Sequence, residues 1–128
     1  MDMTVSSLAA TDRGHKCGVL AEHLARIGDR WTLPVVVTLR EGPLRFNQLR
    51  RAVAGISQQM LTRTLRTLER DGMVARTVHP TVPPQVEYAL TVMGNSLADQ
   101  GLQLGNWIHA NLQAIDRSRT VFDARETD

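Results

Sequence analysis

The segment SQQMLTRTLRTLER, Ser57 to Arg70, concentrates side chains that donate hydrogen bonds. Gln58, Gln59, Thr62, Arg63, Arg66 and Arg70 all lie in it, with Glu69 as its lone acid. A glutamine amide can bond an adenine edge bidentately, and a guanidinium fork can bond a guanine edge or grip a phosphate. The spacing sets these groups apart from the apolar ones. At about 100° per residue, Gln59, Arg63, Arg66 and Arg70 fall about 140–200° from Leu61, while Leu65 and Leu68 stay on the leucine side. Such a helix buries leucine and presents cations, without the alternating charges usual on a solvated helix face.

The charge balance along the chain agrees. The net charge is only +2, yet residues 30–76 hold nine arginines against Glu41, Glu69 and Asp71, a local net of +6. The flanking segments are net acidic. A basic block inside a near-neutral chain suits a polyanion, and nucleic acid is the commonest one. Other chemistry has little support. No Ser/His/Asp, Cys/His or paired-carboxylate motif is recognisable, and no glycine-rich phosphate loop occurs, so no catalytic residue is expected. Four histidines and one cysteine are scattered without zinc spacing, so neither a metal site nor a cofactor is expected. No apolar run reaches the ~20 residues of a membrane span. The first residues lack the basic and apolar regions of a signal peptide. A cytoplasmic, nucleoid-associated protein without a membrane partner is the expectation, and a single cysteine fits a reducing compartment.

The elements that would position the basic helix follow from periodicity. Leu20, Leu24 and Ile27 place a short amphipathic helix over 18–27, ending at Gly28. Val35 to Leu39 forms a buried helix with Pro34 in its first turn, capped by Trp31 or Thr32. LRF (44–46) is long enough for one bridging strand, and Phe46, Leu49 and Val53 mark a third helix. Ala54–Gly55 turns the chain. Ser57 then caps the basic helix, Ile56 and Leu61 staple its start, and Gly72 stops it. Val74 to Leu90 alternates as two β-strands joined by a proline-rich connection at 79–84. The sum is a mainly α fold with a small β-hairpin: a winged helix-turn-helix whose second helix, 57–71, enters the major groove while the wing, 74–90, lies on the flanking groove.

Thr91 caps a last helix over 91–115. Leu97, Leu104 and Ile108 keep near-heptad spacing, with Gly101 and Gly105 four residues apart. Two glycines on one face suggest close approach by another helix. The apolar outside of the first and last helices favours a homodimer interface over packing on the chain's own core. Leu20, Leu24, Leu97, Gly101, Leu104, Gly105, Trp107 and Ile108 are its candidates. Residues 1–16 form a flexible arm, 17–117 the domain, and 118–128 a frayed polar tail.

The segments IGDRWTL (27–33), GPLRFNQLRR (42–51), GISQQMLTRTLRTLERDGMVAR (55–76) and PPQVEYALTVMG (83–94) together resemble the HxlR-type regulators, winged-helix proteins related to the MarR group. The resemblance implies a homodimeric transcription factor dimerised by its terminal helices. By matching position it implies DNA reading by Ser57–Arg66 and a wing at Arg76–Pro84. It also matches Cys17 to a cysteine that several members use to sense electrophiles or oxidants, although Gly18 stands where many of them have proline.

Roles within the interface follow from chemistry. Gln58, Gln59 and Thr62 lie where a reading helix reaches base edges, Arg63 reads guanine or holds phosphate, and Arg66 and Arg70 hold phosphate. Arg45, Arg50 and Arg51 are candidates for the flanking backbone, and Arg76 and His79 for the wing groove. Cys17, placed just before the first helix, would feel the positive end of its dipole, aided by His15 and Lys16. The competing reading of Cys17 is a small apolar filler. The partners expected are a pseudo-palindromic double-stranded operator, a second copy of the chain, and a small-molecule or electrophile inducer. Two readings stay open beside this one: a small-molecule-gated regulator without a cysteine switch, and a winged helix used only to bind proteins.

Overall fold

The computed structural model describes residues 13–126, ordered α1 (Arg13–Ile27), α2 (Thr32–Leu39), β1 (Leu44–Arg45), α3 (Phe46–Ala52), α4 (Gln58–Arg70), β2 (Val74–His79), β3 (Gln85–Leu90) and α5 (Val92–Glu126). One core joins them. Val35, Val36 and Leu39 of α2, Leu49 of α3, Leu61, Leu65 and Leu68 of α4, Val74 of β2 and Ala98 of α5 are all buried in it. Thus the leucine side of α4 faces inward, as its period requires.

Both ends of α4 are fixed locally. The Ser57 hydroxyl accepts from the Met60 amide at 3.1 Å, and Ile56 and Leu61 are both buried beneath that first turn. At the other end Gly72 takes φ +81°. Its amide donates to the Glu69 carbonyl at 3.1 Å, and the Met73 amide donates to the Leu68 carbonyl at 2.9 Å. That is a Schellman stop, and only glycine enters the left-handed region there without strain.

The hairpin lies in a three-stranded antiparallel sheet of order β1-β3-β2. Leu44 pairs with Tyr88 and Arg45 with Glu87, so the bridging segment adds a third strand to the wing's base. Across the hairpin, Arg76 pairs with Tyr88 and His79 with Gln85. Thr91 ties the wing's return strand back to the end of α4. Its amide donates to the Met73 carbonyl, its hydroxyl donates to the Gly72 carbonyl at 2.6 Å, and it accepts from the Gly94 amide at 3.1 Å as the cap of α5.

Several boundaries differ from the expectation. Trp31 occupies the cap position of α2, but the acceptor is Asp29, whose Oδ1 receives the amides of Trp31 and Thr32 at 2.8 Å each. Helix α1 begins at Arg13, so Cys17 lies beyond its first turn and not ahead of it; residues 1–12 of the expected arm lie outside the described residues. The helix dipole therefore acts little at Cys17, because that field fades past the first turn. Helix α5 runs to Glu126 where a stop near 115 and a frayed tail were expected. The reason is plain in the chain: no glycine follows Gly105 and no proline follows Pro84, so nothing interrupts the helix. Residues 127–128 of that tail lie outside the described residues.

Two glycines differ in the room they leave for a side chain. A Cβ at Gly94 would collide with the Met73 carbonyl, whereas one at Gly18 meets nothing within 4 Å. Gly94→Ala should therefore lower stability by about 1–3 kcal/mol, while Gly18→Ala, on an open helix surface, should raise it by up to about 1 kcal/mol. Thermal denaturation of the two variants checks the opposite signs; a Gly94→Ala protein as stable as wild type would refute the close approach of α5 to Met73.

Candidate nucleic-acid interface

The outer side of α4 is assembled as its sequence implies. Ser57, Gln58, Gln59, Thr62, Arg63, Arg66 and Arg70 are all exposed. The Thr62 hydroxyl donates to the Gln58 carbonyl at 2.9 Å, which leaves its oxygen lone pairs as the outward-facing acceptor. Arg45, Arg50 and Arg51 of the β1–α3 segment are exposed too. Arg45 and Arg51 border a cleft of about 420 Å³ between α3 and the wing, together with Asn47 and Gln85. Neither Asn47 nor Gln85 stood out in the sequence. The available signal was Asn47's place between Arg45 and Arg50; Gln85 had none, because only the folded hairpin brings it beside α3.

The nine arginines of the central block divide into two groups. Arg40 Nε donates to Asp99 Oδ1 at 2.8 Å, tying α2 to α5. The Arg30 guanidinium stacks over the Trp31 ring at 4.8 Å. Arg76 lies 3.9 Å from Glu69 across the α4–β2 turn. Among the described residues, Arg45, Arg50, Arg51, Arg63, Arg66 and Arg70 have no carboxylate partner. Those six occupy α4 and the segment leading to it, so the uncompensated charge is sharper than the net +6 suggests. On the wing, His79 Nε2 sits 3.3 Å from Glu87 Oε1. Arg76 and His79 are thus both engaged within the chain, unlike the arginines of α4.

Tyr88 lies under Arg76 at the back of this region. Burial pushes its phenol above the usual tyrosine range, the nearby Arg76 charge pulls it down and Glu69 pushes it up again. The Tyr88 hydroxyl is therefore a neutral donor throughout the physiological range.

The residues proposed for chain pairing separate. Leu20 and Leu24 of α1, and Leu104, Trp107 and Ile108 of α5, are exposed. Leu97 packs on the chain's own core. Gly101 is buried, and a Cβ there would lie 2.9 Å from Val37 Cγ2 and 3.4 Å from Leu33 Cδ2. The close approach at Gly101 is therefore by α2 of the same chain, which corrects its assignment to a partner helix. Gly105 meets nothing within 4 Å. Cys17 is exposed on α1.

Comparison with known proteins fits this geometry. Residues 26–116 match the HxlR-like helix-turn-helix family. The HTH-type transcriptional regulator YtfH of Escherichia coli is 42% identical over 94 residues, covering 73% of this chain and 75% of that protein. Among solved structures, the transcriptional regulator YtfH of Salmonella typhimurium superposes with a TM-score of 0.72 at 40% identity, over 78% of this chain and 89% of the other. The redox regulator HypR in its reduced form gives 0.71 at 39% identity, over 77% and 97%. The chain belongs to the HxlR-like helix-turn-helix family: it is a DNA-binding transcriptional regulator of the helix-turn-helix type, built on a winged helix, and not an enzyme.

Proposed function

We propose that this regulator binds double-stranded DNA sequence-specifically as a homodimer in the cytoplasm, with α4 in the major groove and the β2–β3 wing on the flanking groove. The observation that carries this reading is the set of six arginines without carboxylate partners on and beside α4. Charge left unpaired on one side of a domain, opposite a buried leucine face, suits a phosphate lattice. A winged helix used only for protein contacts would keep the leucines and have no need of that surface. Gln58, Gln59 and Thr62, at the start of α4, are the base readers, with Arg63 beside them. Ser57 caps. Arg66 and Arg70 position, with Arg45, Arg50 and Arg51 on the flanking backbone and Arg76 and His79 on the wing side.

Pairing of two chains is supported by α5. Its buried face, which includes Gly94, Ala98 and Gly101, continues past the core as Leu104, Ile108 and Leu112, each about half exposed. Leu20 and Leu24 of α1 are exposed as well. A stripe of this kind on a monomer calls for a partner surface, and a two-fold dimer would read a pseudo-palindrome with half-sites about one helical turn apart, or a multiple of it.

In the single chain the Cys17 thiol is exposed and fills no gap in the core, which supports a response to electrophiles or oxidants. The redox regulator HypR, solved in oxidized and reduced forms, supports that reading by similarity. With one cysteine per chain, oxidation yields an intersubunit disulfide, a mixed disulfide or a sulfenic acid. Because Cys17 lies on α1, each product would bear on the spacing of the two reading helices. A small-molecule inducer without a cysteine switch is the competing mode of control.

Arg63→Ala should weaken operator binding by about 1–3 kcal/mol while affecting random duplex far less. Arg70→Ala should weaken both equally, as a phosphate contact does. Titrations against both duplexes at fixed salt check this, and wild-type behaviour of Arg63→Ala on both would remove α4 from the interface. For Cys17, DNA affinity of wild type should change after diamide, and that of Cys17→Ser should not. The same response from the two proteins, or none from wild type, leaves Cys17 without a sensing role.

A further inference from the structure

A helix in the major groove and a wing on the neighbouring groove are separated by one sugar–phosphate strand. In the docking proposed above, on which this inference rests, that strand must cross the space between α4 and the sheet. The space is a cleft of about 420 Å³. Its walls are Thr62, Arg66 and Glu69 from α4, Arg76 from β2 and Tyr88 from β3. Two guanidiniums and a neutral phenol suit a phosphate. Glu69 does not. It is the only acid on α4, and it stands on the flank that faces the wing.

Glu69 also holds the cation that the phosphate would use. Arg76 Nε lies 3.9 Å from Glu69 Oε2, with the two side chains 44% and 45% exposed. A long, half-solvated pair of this kind is weak. A phosphate brings the stronger, bidentate geometry for a guanidinium. Arg66 stands in the same cleft without a carboxylate partner, so the anion has a first anchor before Arg76 lets go.

We propose that Glu69 sets the affinity of this regulator for DNA by competing with the backbone phosphate for Arg76, so that Arg76 is released from Glu69 to the sugar–phosphate strand on binding. Phosphate contacts carry no sequence information, so the restraint acts on random and operator DNA alike. It limits retention on random duplex without changing which sequence is preferred.

The test is a salt titration of random-duplex binding by wild type, Glu69→Gln, Arg76→Ala and the double variant. Glu69→Gln should bind about two- to fivefold tighter than wild type at fixed salt. Arg76→Ala should flatten log K against log salt by up to about 0.9, the increment of one phosphate contact, whereas Glu69→Gln should keep the wild-type slope, because Arg76 reaches the strand in both proteins. In the Arg76→Ala background Glu69→Gln should give no gain in affinity. Circular dichroism checks that the four proteins fold alike, which the exposure of both side chains favours. No gain from Glu69→Gln alone would overturn the proposal and leave the docking intact. So would a gain of equal size with and without Arg76, which would report only the loss of a negative charge. Failure of wild type to bind duplex at all would overturn the docking and this proposal with it.

Discussion

Everything at the candidate interface depends on the burial of Leu61, Leu65 and Leu68 in the shared core, where α4 packs against α2 and β2. These three side chains are 0–3% exposed, and burying each is worth about 1.5–3 kcal/mol. That energy sets the rotation of α4 about its axis. Once the leucines are inside, Gln59, Arg63, Arg66 and Arg70 have only solvent, or a ligand, to face. A rotation that buried an arginine instead would strand an unpaired charge in the core, at a cost well above the gain of any exposed ion pair. The exposed basic face of α4 is thus a by-product of core packing, and its orientation is fixed for the same reason.

The ends of α4 extend that rigidity to the wing. The Schellman turn at Gly72 hands the chain to Met73, whose carbonyl receives the Thr91 amide, while the Thr91 hydroxyl donates to Gly72 and its oxygen caps α5. One short stretch therefore fixes the end of α4, the base of the wing and the start of α5. Gly94 lets α5 approach closely enough for this junction to close. Any signal that shifts α5 or α1 relative to the core has a direct mechanical route to the angle between helix and wing.

The legible parts of the chain were those whose signals are local. The Ser57 cap, the Ile56–Leu61 staple, the leucine period and the Gly72 stop all act within one helix, and each stands where the residues place it. The alternation of Val74–Leu90 likewise declares the hairpin. What escaped was governed by tertiary neighbours or by absence of a signal. Two glycines four apart announce a close helix without saying whose it is; at Gly101 it is α2 of the same chain. Arg76 and His79 read as candidates for the wing groove with no partner visible in the sequence, because Glu69 and Glu87 reach them only across a turn and across the hairpin. The polar stretch after Ile115 suggested fraying, yet polarity does not end a helix, and no glycine or proline does so before Glu126. Asp29 gives no sequence signal as the cap of α2, because it stands ahead of the residues where the helix begins.

The central claim is that the basic face of α4 reads the major groove, twice, through two copies of the chain. Methylation protection on the intergenic DNA beside the gene tests it most directly, because dimethyl sulfate modifies guanine N7, a major-groove atom. The account predicts two protected patches related by a pseudo-dyad, their centres about one helical turn or a multiple of it apart. Binding that leaves every guanine N7 reactive, or that protects a single patch at saturation, would contradict it.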